Sequence, residues 1–402
     1  LSPAFFGPSV DFTTNHSWWQ NDSILWDSLV AKQPGKAMLV QETGLQRELN
    51  LDETSRRTPE NEAALFERKI AMSFVGGSGA IEWLWNTNSY MTEGNETPIG
   101  ALRADGTEKP EATVLRNFAK FAAELGPHLR NPQPAQVAII ASQAAQYSAI
   151  ARFALEAQRT AARAVAYYAR LTPYLIYENQ IDRMGNPKLA LLPSPQALTE
   201  KAWQQLLKYA EGGGNLVITG PVERDEHGRR ANRAANFIPG SEARPLTFHT
   251  ASSSDSLKAA NLLVFDQEAQ SWLEYLHFDG QGPQARVVEY GRGHILWTAY
   301  PAELASNGEA AAQDSIAAGF REAKLSPPFV LSGDLSPGVL VYPVLLEDSV
   351  LYIFSSDSQR DEAIDLEDKI TGRRLAFTLP AERAALALIG KKEKAVIAKY
   401  GF

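Results

Sequence analysis

Four consecutive apolar residues, Ala37-Met38-Leu39-Val40, stop abruptly at Gln41-Glu42-Thr43-Gly44, with helix-like stretches on either side. A short apolar run without polar alternation has both faces in the core, as strands of parallel sheets do. Parallel neighbours need crossover connections, and the surrounding sequence supplies them. Ser9 to Thr13 reads as a strand ending in polar Thr14-Asn15-His16, and Ile24 to Val30 as a helix stopped by Gln33-Pro34-Gly35. Thr58-Pro59-Glu60 starts the next helix with an N-cap, a proline at the first helical position and acids in the first turn. It runs on through Leu65, Phe66 and Ile70. Gly76-Gly77-Ser78-Gly79 leads into a strand expected over Ala80 to Trp85, and a helix over Glu111 to Leu125 closes at Gly126-Pro127.

Three strand–helix units in a row are the content of the last three units of a (β/α)8 barrel, strands 6 to 8, assigned to residues 1–132. A chain of 402 residues exceeds what one core ordinarily serves. After Asn131-Pro132-Gln133-Pro134 the pattern resumes with a strand over Val137 to Ala141, an alanine-rich helix and a strand over Lys188 to Leu192. Trp203, Leu206, Leu207 and Ala210 share one helical face, and Gly212-Gly213-Gly214 separates that helix from a strand over Leu216 to Thr219. A hairpin over residues 287–297 and a helix over Ala310 to Ala323 follow. This is a doubly wound, flavodoxin-like α/β domain, residues 133–325. Four short strands, over Val339 to Leu346, Val350 to Phe354, Leu375 to Leu379 and Ala385 to Ile389, predict a small antiparallel β-sandwich at residues 326–402.

Composition excludes several function classes. A 44% hydrophobic and 21% charged chain is ordinary globular protein, not a disordered one. No apolar run reaches the ~20 residues that span a bilayer, so no membrane anchor is expected here. A net charge of −8 argues against nucleic acid, whose phosphates call for a basic face. Zero cysteines exclude disulfides, thiolate metal sites and cysteine nucleophiles, and no metal or cofactor is called for. Leu1-Ser2-Pro3-Ala4 is neither a start nor a leader peptide, so the sequence is expected to begin inside a larger protein.

Glu42 is the leading catalytic candidate. A carboxylate at the C-terminal end of a buried parallel strand stands on the face where barrel enzymes build their sites, and Thr43-Gly44 lets the chain turn away from it. Asn15-His16-Ser17-Trp18-Trp19 ends the preceding strand, and Trp83-Leu84-Trp85-Asn86 ends the following one. Indole faces beside a carboxylate suit sugar rings, with apolar C–H faces and hydroxyl edges. Taken singly, such groups are as often barrel core or solvated loop. Three successive strand ends bearing them point to a carbohydrate site.

Lys36 to Gly44 resembles the seventh-strand nucleophile segment of clan A glycoside hydrolases. Asp11 to Trp18 is similar to their sixth-strand end, where a histidine and an aromatic line the sugar site, and Gly79 to Asn86 resembles the eighth. Barrel, flavodoxin-like domain and small β domain together resemble family 42 β-galactosidases. The resemblance implies a retaining hydrolase of β-glycosidic bonds with Glu42 as nucleophile. His16, Trp18, Trp83, Trp85 and Asn86 would bind the sugar, and Glu96, in Glu96-Thr97-Pro98-Ile99-Gly100, would hold its hydroxyls. It also implies an acid/base glutamate on a strand before Leu1, a missing N-terminal part of the barrel as partner, and a homo-oligomer, trimer or dimer. Asn86 stands where the family usually has arginine and Ile99 where it usually has histidine, which puts galactose specificity in question more than hydrolysis.

Two other readings stay open: an endo-β-glycanase of the family 5 kind, and a non-catalytic carbohydrate-binding barrel. Glu211-Gly212-Gly213-Gly214 lacks the Gly-Lys-Ser/Thr ending of a phosphate loop and precedes a strand, and Asp225-Glu226-His227 reads as a solvated turn rather than a metal cluster.

Overall fold

The computed structural model describes residues 3–18, 23–44, 56–76, 79–87, 99–148, 151–193, 197–220, 224–229, 231, 233–239, 248–249, 263–264, 286–298, 301–304 and 308–402. After a single helical turn, α1 (Pro3–Phe6), come β1 (Phe12–His16), α2 (Ser23–Ala31), β2 (Ala37–Thr43), α3 (Pro59–Ser73), β3 (Ala80–Glu82) and α4 (Pro110–Leu125). The strands form a parallel sheet in the order β1-β2-β3. The Thr58 hydroxyl accepts from Asn61 N at 3.2 Å and Pro59 opens α3, as its start signal predicts. The first strand lies at Phe12–His16 instead of Ser9 to Thr13, and the third stops at Glu82, three residues short of expectation.

Alternate residues of this sheet meet different surroundings, as strand geometry requires. Met38 and Val40 are fully buried, and Val40 joins a core with Ile24 and Leu25 of α2, Phe66 and Ile70 of α3 and Phe118 and Phe121 of α4. Phe12 and Ile81 are about half exposed, at 51% and 49%. Helices thus cover one face of the sheet, while large apolar side chains stand on the other.

The second sheet has the order β10-β11-β7-β6-β4-β5. Its strands are β4 (Val137–Ala141), β5 (Pro173–Tyr177), β6 (Leu189–Pro193), β7 (Asn215–Thr219), β10 (Arg286–Tyr290) and β11 (Gly293–Thr298). Two-residue strands β8 (Phe248–His249) and β9 (Leu263–Val264) pair with each other. All neighbours in the large sheet are parallel except the β10–β11 hairpin. Its five parallel strands run 2-1-3-4-5, a doubly wound order. Helices α5 (Gln143–Gln146), α6 (Ala151–Arg163), α7 (Glu200–Glu211) and α8 (Gly308–Glu322) accompany it. Leu189 and Leu191 pack with Ala161 and Ile316 of α6 and α8, while Ala190 and Leu192 pack with Trp203 and Leu206 of α7. Both faces are covered, so β4, β6 and β7 are buried at every residue.

Seven strands close the chain, not four. β12 (Phe329–Leu331), β15 (Glu362–Asp368) and β16 (Arg374–Leu379) form one antiparallel sheet. β13 (Val339–Leu345), β14 (Ser349–Ser356), β17 (Ala384–Gly390) and β18 (Ala395–Tyr400) form the other. Tyr352, Phe354, Ile364 and Leu375 fill the space between them. The outer face of the four-stranded sheet, with Leu351, Ile353, Leu386 and Tyr400, joins the core beneath α3 and α4. Tyr400 stacks on Phe118 with ring centroids 4.0 Å apart. Glu67 of α3, 1% exposed, accepts from the Arg383 guanidinium and, at 2.6 Å, from the Tyr400 hydroxyl. The neighbouring Arg68 donates to the Glu382 carbonyl and pairs with Asp357 at 3.2 Å.

Candidate active site

Glu42 is the penultimate residue of β2, so its carboxylate stands at the strand's C-terminal end. The register shift between Asn15 and His16 sets His16 opposite Glu42. The Trp18 indole Nε1–H donates to Glu42 Oε1 at 2.8 Å, and His16 Nδ1 lies 3.4 Å from the same oxygen. Oε2 has no hydrogen-bond or ion-pair partner among the described residues. The Glu42 side chain is about a quarter exposed and the imidazole about half, so the carboxylate is held through Oε1 and is not sealed from solvent.

The backbone beneath is tied strand to strand. Ser17 N donates to the Glu42 carbonyl at 3.0 Å, the Thr43 hydroxyl to the Ser17 carbonyl at 2.8 Å, and Trp83 N to the Thr43 carbonyl at 2.8 Å. Gly44 is where the three strand ends converge. A Cβ there would lie 2.3 Å from the Trp83 carbonyl oxygen and 3.1 Å from the Trp18 ring, so only glycine lets the chains approach so closely.

Trp83 and Trp85 are 42% and 53% exposed, which is costly for indoles unless something covers them. The Trp83–Leu84 peptide is cis. Trp85 and Asn86 bond to a different segment: Leu102 N donates to the Trp85 carbonyl at 2.9 Å, and Asn86 bridges to Leu102. The structure therefore brings His16, Trp18 and Glu42 into direct contact and seats Trp83 beside them through Thr43 and Gly44. Trp85 and Asn86 sit at the same strand end without a bond to Glu42. Glu96 lies outside the described residues.

Two groups that the sequence did not single out lie under the site. Lys69 of α3 is 0% exposed, and its ammonium donates to the Trp18 carbonyl and, at 3.1 Å, to the Gly44 carbonyl. Both carboxyl oxygens of Glu82, at the end of β3, are buried without a hydrogen-bond partner among the described residues. Burial pushes Lys69 down to about 7 and Glu82 up to about 9, and each group's charge opposes the other's shift. The Asp225 cluster is a turn, its carboxylate accepting from His227 N and Arg229 N. No group of metal-binding side chains occurs among the described residues, and no helix there is long and apolar enough to cross a membrane.

No family model matches the sequence, and no curated protein matches it. Solved structures do match. A catalytic mutant of a GH42 β-galactosidase from G. stearothermophilus superposes at a TM-score of 0.65 with 14% identity, covering 97% of this chain and 61% of that one. A β-galactosidase from Bacillus circulans sp. alkalophilus gives 0.65 and 13% over 96% and 61%. An α-L-fucosidase isoenzyme from Paenibacillus thiaminolyticus gives 0.53 and 13% over 96% and 60%. The chain has the fold of part of these enzymes and spans about three fifths of their length.

Proposed function

We propose that this chain is the C-terminal part of a retaining glycoside hydrolase, with Glu42 as nucleophile. The observation that carries the reading is the pinned carboxylate: Oε1 is held by Trp18 and faced by His16, Oε2 has no partner among the described residues, and the exposed indole of Trp83 stands beside them. In this reading Glu42 Oε2 attacks the anomeric carbon as its bond to the leaving oxygen breaks. A second carboxyl group, ~5–5.5 Å away, protonates that oxygen and then activates the water that cleaves the glycosyl ester. The Trp18 N–H and His16 orient Glu42 and stabilise its charge before attack, and Trp83 and Trp85 offer faces to the sugar.

The domain assignment belongs to the same reading. Residues 1–132 are strands 6 to 8 of a (β/α)8 barrel, 133–325 a flavodoxin-like domain and 326–402 a β-sandwich. Parallel sheets carry cover on both faces, so the apolar face at Phe12 and Ile81 is where the remaining barrel units, and with them the acid/base, pack. Neighbours acting on β-galactosides favour a β-galactoside substrate over a polymer cut internally.

The test is Glu42→Ala in the complete polypeptide, assayed on aryl β-glycosides with and without azide. Turnover should fall at least about a thousandfold, and azide should restore release of the aryl group with an α-glycosyl azide as product. A β-glycosyl azide would assign Glu42 as acid/base instead, and undiminished turnover would end the assignment.

A further inference from the structure

A lysine with no exposed surface is expensive to bury, and a methionine of similar volume would suit the same place better. Lys69 sits in α3 among residues 65–73, all of them buried, so the ammonium is not there to reach solvent. Its two hydrogen bonds go to main-chain carbonyls on different strand ends. One belongs to Trp18, whose indole holds Glu42, and the other to Gly44, two residues beyond Glu42. These strand ends are not regular ladder: the β1–β2 register shifts at Asn15/His16 and the β2–β3 register between Val40 and Thr43. The strand pairing has slipped where the site needs its geometry fixed, and Lys69 supplies a cross-tie there.

We propose that Lys69 is a positioning residue: its ammonium straps the ends of β1 and β2 together beneath Glu42 and so fixes the Trp18 indole that orients the carboxylate. The proposal rests on the glycosidase reading only for its consequence in turnover. Glu82 of β3 acts on Lys69 in favour of the ammonium, while burial, Arg57 and Arg68 act in the opposite sense. The strap is itself anchored from below. Glu67 and Arg68, the two residues before Lys69, bind Arg383, Tyr400, Glu382 and Asp357 of the C-terminal sandwich. Three consecutive charged residues of one helix thus join the sandwich to the rim of the site.

The experiment is Lys69→Met in the complete polypeptide, read by the ¹⁵N–¹H resonance of the Trp18 indole, by thermal melting and by steady-state kinetics. The indole resonance, assigned with Trp18→Phe, should shift or broaden. The melting temperature should hold or rise, and kcat should fall by about 100-fold, the scale of an ~1 Å misplacement, with KM changing much less. An unmoved indole resonance with unchanged kcat overturns the proposal. Should Lys69→Met not fold, the unaltered protein decides. A ¹⁵N-lysine spectrum should show one side-chain ammonium with slowed hydrogen exchange that disappears in Lys69→Arg, and an ammonium at position 69 exchanging as fast as surface lysines refutes the strap. The indole readout needs no turnover. Survival of activity in Glu42→Ala would therefore sink the glycosidase reading and leave the strap to be judged on the resonance.

Discussion

Replacing Arg383 with methionine tests whether the C-terminal sandwich supports the site-bearing segment. The guanidinium donates to both oxygens of Glu67, one at 2.9 Å, and Glu67 is 1% exposed. Removing one member of a fully buried pair costs ~3–5 kcal/mol, because the other charge stays buried without compensation. Arg383 is itself 47% exposed, which screens part of its charge. Glu67 also keeps the Tyr400 hydroxyl at 2.6 Å and Ala384 N at 3.4 Å. The expected loss is therefore ~2–3 kcal/mol at neutral pH, or a fall of about 1 M in the urea midpoint for a slope of ~2–3 kcal/mol/M. The assay exploits the distribution of tryptophan: all 8 lie before residue 298 and none in the sandwich. Their emission reports on the rest of the chain, so a shift in that transition has been transmitted across the Glu67–Arg383 contact. Glu67→Gln in the same background should recover most of the loss at pH 7. A tryptophan-monitored midpoint that does not move would refute the reasoning, since the pair would then be a solvated contact of no mechanical consequence.

Three further outcomes are expected. Gly44→Ala should leave overall unfolding cooperative but displace the Trp83 carbonyl and the Trp18 ring, abolishing sugar binding in calorimetry; wild-type affinity would contradict the packing described. Glu303 is fully buried with the Thr219 hydroxyl 2.6 Å away, and burial pushes its carboxyl up to about 7. The folded state keeps that proton longer than the unfolded one, so stability should fall by up to about 3 kcal/mol between pH ~4.5 and 7. Glu303→Gln should flatten that stretch of the denaturation profile. Trp203→Ala removes a 0% exposed indole whose N–H donates to Asn236 at 2.8 Å; a loss of ~3–5 kcal/mol is expected by urea denaturation, and less than about 1 would place Trp203 outside the core.

Much of the layout can be read from punctuation. Thr58-Pro59 marks the start of α3, and Gly212 to Gly214 marks the gap between α7 and β7, because capping and turn chemistry are local. Glu42 stands out for the same reason, as the first acid after an uninterrupted apolar run. What escaped the sequence is tertiary. β15 is Glu-Ala-Ile-Asp-Leu-Glu-Asp, which reads as an acidic loop although it alternates buried and exposed along its length. β5, Pro-Tyr-Leu-Ile-Tyr, begins on a proline that reads as a break. Lys69 was invisible because Glu67-Arg68-Lys69 looks like the wet side of an amphipathic helix. The sandwich holds Glu67 and Arg68 from one side and the strand ends at Trp18 and Gly44 take Lys69 on the other, and no local pattern encodes either. Glu82 looked like a mid-strand polar residue for the same reason.

The half-exposed Phe12 and Ile81 carry a consequence for the cell. A greasy sheet surface left uncovered is bait for chaperones and a seed for precipitation. On the proposal that further barrel units pack on this face, residues 1–402 expressed alone should pass quickly to proteolysis or into inclusion bodies. Co-expressing those units as a separate chain should then raise the yield in the supernatant, and an unchanged yield would speak against the proposal.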